Sequence, residues 1–172
     1  MRKLLLVGFL TFLSFSTYAQ SEKKIYETDD FTVQYPASWN LETKLDAPLV
    51  FVVKALPTSD EDTFAENVNL ITQNLKGANL SLDNYVKLNR DQLATLSNSE
   101  LISNLTDKRG ARNYHTLIFS ADINNMELKL IQLYTIKNEV AYILTFTSLR
   151  NEFSQLEEVG KQIIKSFKLK EE

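Results

Sequence analysis

The chain has 172 residues, with 19 basic and 22 acidic side chains, a formal charge of −3, one histidine and no cysteine. A mild acidic excess has the wrong sign for a general nucleic-acid partner, which needs a net basic surface. A zinc centre of the usual kind needs several His or Cys ligands, and this composition does not supply them.

The first segment, MRKLLLVGFLTFLSFSTYAQSEKK, has the layout of an export signal: Arg2 and Lys3, an apolar run from Leu4 to Phe15, then Thr17-Tyr18-Ala19 as a small-x-small cleavage site. The expectation is a signal peptide over 1–19, a mature chain from Gln20, and a periplasmic or extracellular location. The apolar run falls short of the roughly 20 residues that cross a bilayer, so no membrane span is expected. With no cysteine, no lipid anchor and no disulfide are expected. Removing Arg2 and Lys3 leaves 17 basic residues against 22 acidic ones, a formal charge of −5. The remaining 153 residues (172 less 19) suffice for one domain over 20–172, burying about 68 to 70% of its unfolded surface.

After a polar lead-in, FTVQYPASWNL places Phe31, Val33 and Tyr35 at period two, breaks at Pro36 and resumes with Trp39 and Leu41, which predicts a short hairpin. APLVFVVKALP at 47–57 is a continuous apolar run between two prolines and reads as a buried strand. DTFAENVNLITQNLKG at 62–77 reads as another. Period two puts Ala65, Asn67, Asn69 and Ile71 on one face, and Glu66, Val68 and Leu70 on the other. The Val68 side is expected to meet packed structure, leaving the asparagines on a partly covered face.

From Asn79 the period changes to that of a helix of about four turns, with Leu82, Tyr85, Val86, Leu93 and Leu96 in one stripe, Ser81 as cap and Leu80 as staple. The stretch from Ser99 to Ser148 then reads as four strands with turns at Lys108 to Gly110, Asn124-Asn125 and Asn138-Glu139; links this short force antiparallel neighbours. Leu149, Phe153, Leu156, Gly160, Ile163, Ile164 and Phe167 mark a terminal helix. Glycine inside that stripe is expected to let the helix approach the sheet closely.

YPASW, the strand after it, FAENVNL, the long helix, LYTIKNEVAYILTFTS and IIKSFKL, in that order over about residues 26–169, resemble the PsbP-like group of exported proteins. That group includes the extrinsic photosystem II subunit and bacterial DcrB-type lipoproteins, and the Ran-binding Mog protein shares its fold. The resemblance implies an α+β fold, specifically an α/β/α sandwich with an antiparallel sheet of about six or seven strands and helices on both faces. It also implies an accessory or binding role. Two departures stand out: the cysteine of the lipoprotein members is missing, and QSEKKIYETDD matches no photosystem-binding segment, so a photosynthetic role is unsupported.

Catalytic signatures are absent from the pattern. There is no G-x-S-x-G elbow and no G-x-G, and Gly160-Lys161 lacks the rest of a phosphate loop. His115 has strand spacing with Leu117 and Phe119 and reads as a strand histidine. Asp60, Glu61 and Asp62 lack the spacing and central glycine of a calcium loop and read as solvated. Asp29-Asp30, Glu157-Glu158 and Glu171-Glu172 are adjacent pairs in polar context, whereas general acid chemistry needs a carboxyl in an apolar pocket.

No catalytic, cofactor or metal residue is assigned. The expected function is a non-catalytic binding or accessory role in the bacterial cell envelope, toward a protein partner or small ligand. The alternative is a carboxylate-based, hydrolase-like enzyme whose site only the fold assembles. Asn67 and Asn69 are the candidate partner face; they either bond the backbone of a neighbouring loop or line a groove for a partner.

Overall fold

The computed structural model describes residues 22–170. The expected signal at 1–19 lies outside the described residues, as do the new terminus at Gln20 and the pair Glu171-Glu172.

Among the described residues, ten strands and two helices follow in the order β1 (Lys23–Glu27), β2 (Phe31–Pro36), β3 (Asn40–Glu42), β4 (Leu49–Lys54), β5 (Asn67–Asn74), α1 (Leu82–Leu93), β6 (Ser97–Arg109), β7 (Arg112–Ile123), β8 (Met126–Lys137), β9 (Val140–Leu149), α2 (Phe153–Ser166) and β10 (Lys168–Leu169). Seven strands form one antiparallel sheet in the order β3-β4-β5-β9-β8-β7-β6. β1, β2 and β10 form a second, three-stranded sheet.

The four-strand meander β6 to β9 follows from its turns. Asn124 and Asn125, and then Asn138 and Glu139, all adopt positive φ, as a two-residue hairpin turn twisted to match its strands requires. Gly110 takes the same region at φ 62° in the first turn. β8 and β9 lie inside the sheet, which explains why their sequences are apolar on both faces.

Alternation on those strands feeds two cores. Val68, Leu70, Ile131, Leu133, Leu144 and Phe146 meet α2 through Phe153, Ile163 and Ile164. The opposite face, with Leu117, Phe119, Leu130, Tyr134 and Ile143, meets α1 through Tyr85 and Val86. The sheet therefore carries a helix on each face. Ser81 caps α1 by accepting from the Asn84 N–H at 3.3 Å, as its position predicts. Gly160 lies against the Phe146 ring, the close helix-to-sheet approach its place in the stripe implied.

The N-terminal hairpin prediction fails. β2 pairs with β1 and β10, while β3 joins the large sheet beside β4. Period-two alternation identifies a strand but not its partner. At Pro36 the chain turns, with the Trp39 N–H donating to the Pro36 carbonyl, and Trp39 is buried as the chain crosses from one sheet to the other. The strand expected from Asp62 starts only at Asn67, because Asp62 ends a turn: its carboxylate accepts from the Thr58 N–H at 2.8 Å and the Phe64 N–H at 3.3 Å.

Candidate functional site

β5 runs between β4 and β9, with Asn67 opposite Lys54 on one side and Thr147 on the other, and Asn69 opposite Val52 and Thr145. Thr145 in turn faces Gln132 on β8. This register gathers the amides and hydroxyls of three adjacent strands into one row on the α1 face of the sheet. Asn67 and Asn69 are half-buried and Val68 between them is fully buried on the opposite face.

Hydrogen bonds run along the row. Asn67 Nδ2 donates to the Ala65 carbonyl at 3.1 Å, and Asn69 Nδ2 donates to Asn67 Oδ1 at 3.3 Å. Gln132 Nε2 donates to Thr145 Oγ1 at 3.2 Å, and the Tyr134 hydroxyl donates to Gln132 Oε1. Burial pushes the Tyr134 phenol far above its usual range, so it stays a neutral donor. Tyr85 closes the row on the α1 side, its hydroxyl donating to Gln73 Oε1 at 2.6 Å. At the other end, the exposed pair Lys54–Glu42 (2.9 Å) stands beside Asn67. Each asparagine uses one of its two amide N–H donors among the described residues, so the row retains donors on a half-open surface.

The register-dependent members Thr145, Thr147, Gln132 and Tyr134 were not marked from sequence. Each is ordinary in its own strand, and only the pairing of β5, β9 and β8 brings them together.

A second feature is a buried carboxyl. Glu66 is 4% exposed on the Val68 side of the strand approach, and its Oε1 is sealed from solvent without a hydrogen-bond partner. Burial raises its pKa, and hydrogen bonding and charge repulsion from Glu152, beside the start of α2, raise it further, with a smaller push from Asp62. The signal for this residue was present: a glutamate at period two with Val68 and Leu70 points at the core. Of the adjacent pairs named from sequence, Glu157-Glu158 turns to separate partners on α2. Glu157 holds Lys161 at 2.7 Å and Glu158 accepts from Gln162.

His115 sits on β7 against Asn104 and Thr106 of the edge strand β6, and burial lowers its pKa. Among the described residues no group of three His, Cys, Asp or Glu side chains gathers as a metal site, and no helix is long and apolar enough to cross a membrane.

This geometry defines an α+β sandwich with one large antiparallel sheet. It is the PsbP-like fold, as solved structures confirm. Cyanobacterial PsbP (CyanoP) from Synechocystis matches with a TM-score of 0.62 at 13% identity over 91% of this chain and 98% of that one. LpqN of Mycobacterium tuberculosis, described as involved in cell envelope biogenesis, matches with a TM-score of 0.65 at 12% identity over 87% and 91% of the two chains. The Ran-binding protein Mog1p of Saccharomyces cerevisiae matches with a TM-score of 0.56 at 12% identity over 87% and 96%. No protein-family model matches the sequence, and no curated protein matches it. At such identities the likeness concerns the fold.

Proposed function

We propose that this chain is an exported, non-catalytic binding or accessory protein of the bacterial cell envelope, holding a protein partner or small ligand against the Asn67–Asn69 face. The observation that carries this reading is the half-buried row of Asn67, Asn69 and Gln132 beside the buried Thr145, whose unused amide donors suit a polar partner. Support also comes from the 1–19 signal pattern, and from structural neighbours of which one is described as Ran-binding and another as involved in envelope biogenesis.

Asn67→Ala tests it in a capture experiment on envelope extract, with melting temperature measured alongside. Near-normal melting with lost capture is the expected outcome. A large drop in melting temperature would assign Asn67 to holding the loop at Ala65 instead, since stripping a partner from a buried polar group costs about 1 to 3 kcal/mol.

The carboxylate-based enzyme is the second reading, favoured by the raised pKa of Glu66 beside Glu152. Its weakness is access. A general acid must come within hydrogen-bond reach of substrate, and Glu66 Oε1 is closed off from solvent.

A further inference from the structure

β6 is an edge strand: β7 pairs with one side of it, and its other side has no strand neighbour in the sheet. Edge strands are normally blunted by prolines, bulges, short length or charged side chains, of which this edge has only the charges at Asp107, Lys108 and Arg109 in its regular part. Here the irregularities lie between Ser97 and Ser103, whereas Ser103 to Arg109 pairs with β7 residue by residue and contains no proline. The strand also carries three of the six exposed large apolar side chains among the described residues: Leu101 (45% exposed), Ile102 (46%) and Leu105 (61%).

A groove of about 500 Å³ adjoins this open stretch, between β6 and α2. Leu105, Ile118, Ile131 and Ile164 give it an apolar floor. Arg109 fixes the α2 wall to the edge, because its guanidinium reaches the carbonyls of Ile164, Lys165 and Phe167 at 3.4 Å while its Nε holds Asp107 at 2.8 Å. The cations at this edge contrast with the acidic chain as a whole. Lys165 stands at the groove rim and Lys108 points to the opposite face of β6, and neither has an ion pair among the described residues.

We infer that the Ser103–Arg109 edge and the Leu105 groove form a docking surface for an extended, acidic segment of another protein, added to the sheet as an eighth strand with apolar residues at every second position. The free ladder supplies backbone bonds, the groove takes the apolar side chains, and Lys108, on the other face of β6, selects the acidic residues that alternate with them. Strand addition of this kind draws affinity from the backbone and specificity from alternate side chains. The groove lies at the β6 edge on the α2 face, whereas the asparagine row lies inside the sheet on the α1 face; the proposal goes beyond the function proposed above, so each has its own test.

The probe is a fluorescein-labelled ten-residue peptide of alternating valine and glutamate, followed by fluorescence anisotropy, with amide protection at 103–109 read by hydrogen exchange. Saturable binding with protection at 103–109 is expected. Leu105→Lys and Lys108→Glu should each weaken it at least tenfold without moving the melting temperature. A valine–lysine peptide should bind at least tenfold more weakly, and of two valine–glutamate peptides methylated on alternate backbone nitrogens in opposite phases, only the one whose methyls replace the N–H groups facing β6 should do so. Binding of the valine–lysine peptide as tight as that of the probe, equal binding of the two methylated peptides, or protection elsewhere, would overturn the proposal. So would a dimer dissolved by Leu105→Lys, which assigns the edge to a second copy, or decanoate filling the groove of a chain that ignores the peptide, which assigns it to an acyl chain.

Discussion

Ile163→Ala should lower the stability of the domain by roughly 2 to 5 kcal/mol, the usual range for truncating a buried aliphatic side chain to leave a cavity. Ile163 is 2% exposed and packs with Ile164 and Phe153 against the sheet core. Two positions away, Lys161 pairs with Glu157 at 2.7 Å on the solvent side of α2, and exposed pairs of this spacing contribute about 0.3 to 0.5 kcal/mol. Urea melts of the two single variants give the comparison. The Ile163→Ala midpoint should fall sharply with an unchanged slope, and the Lys161→Ala midpoint should stay close to that of the unaltered chain. Equal midpoints would mean that α2 does not dock on the sheet.

Gly160→Ala is expected to destabilise, although alanine favours a helix by about 1 kcal/mol over glycine. A Cβ at position 160 would meet the Phe146 ring at 2.5 to 2.7 Å. Phe146 is fully buried in the centre of the sheet and also touches Phe153, with ring centroids 5.9 Å apart, so it has little room to yield. Overpacking of this sort costs roughly 1 to 3 kcal/mol, which outweighs the gain in helix propensity. A double variant with Phe146→Leu identifies the cause: relief of the ring clash makes the combined loss smaller than the sum of the two single losses. Strict additivity would place the strain somewhere other than the Phe146 contact.

The elements legible in the sequence are those whose signal is local. α1 and α2 have helical stripes and the β6–β9 meander has asparagine and glycine turns, so each could be placed without knowing its neighbours. The three-stranded sheet was hidden for the opposite reason. β10 is two residues long, and β1 is an exposed KKIYE segment with no buried face to create alternation. Both are defined by pairing with β2, a contact that for β10 spans most of the chain.

The candidate site divides the same way. Asn67 and Asn69 stood out because amides are unusual in a strand. Thr145 and Gln132 joined them through register alone. Glu66 carried a readable sign, a carboxylate on the core-facing period, whereas its pairing with Glu152 depends on how α2 meets the start of β5.

The most direct test of a partner-binding asparagine face is photo-cross-linking in envelope extract from the chain's own cell. A diazirine side chain is placed at position 69, with a control at position 88, where Leu88 is 54% exposed on α1. A discrete higher-mass adduct from position 69 and none from position 88 is the predicted result. No adduct from position 69, or the same set of adducts from both positions, would contradict the account.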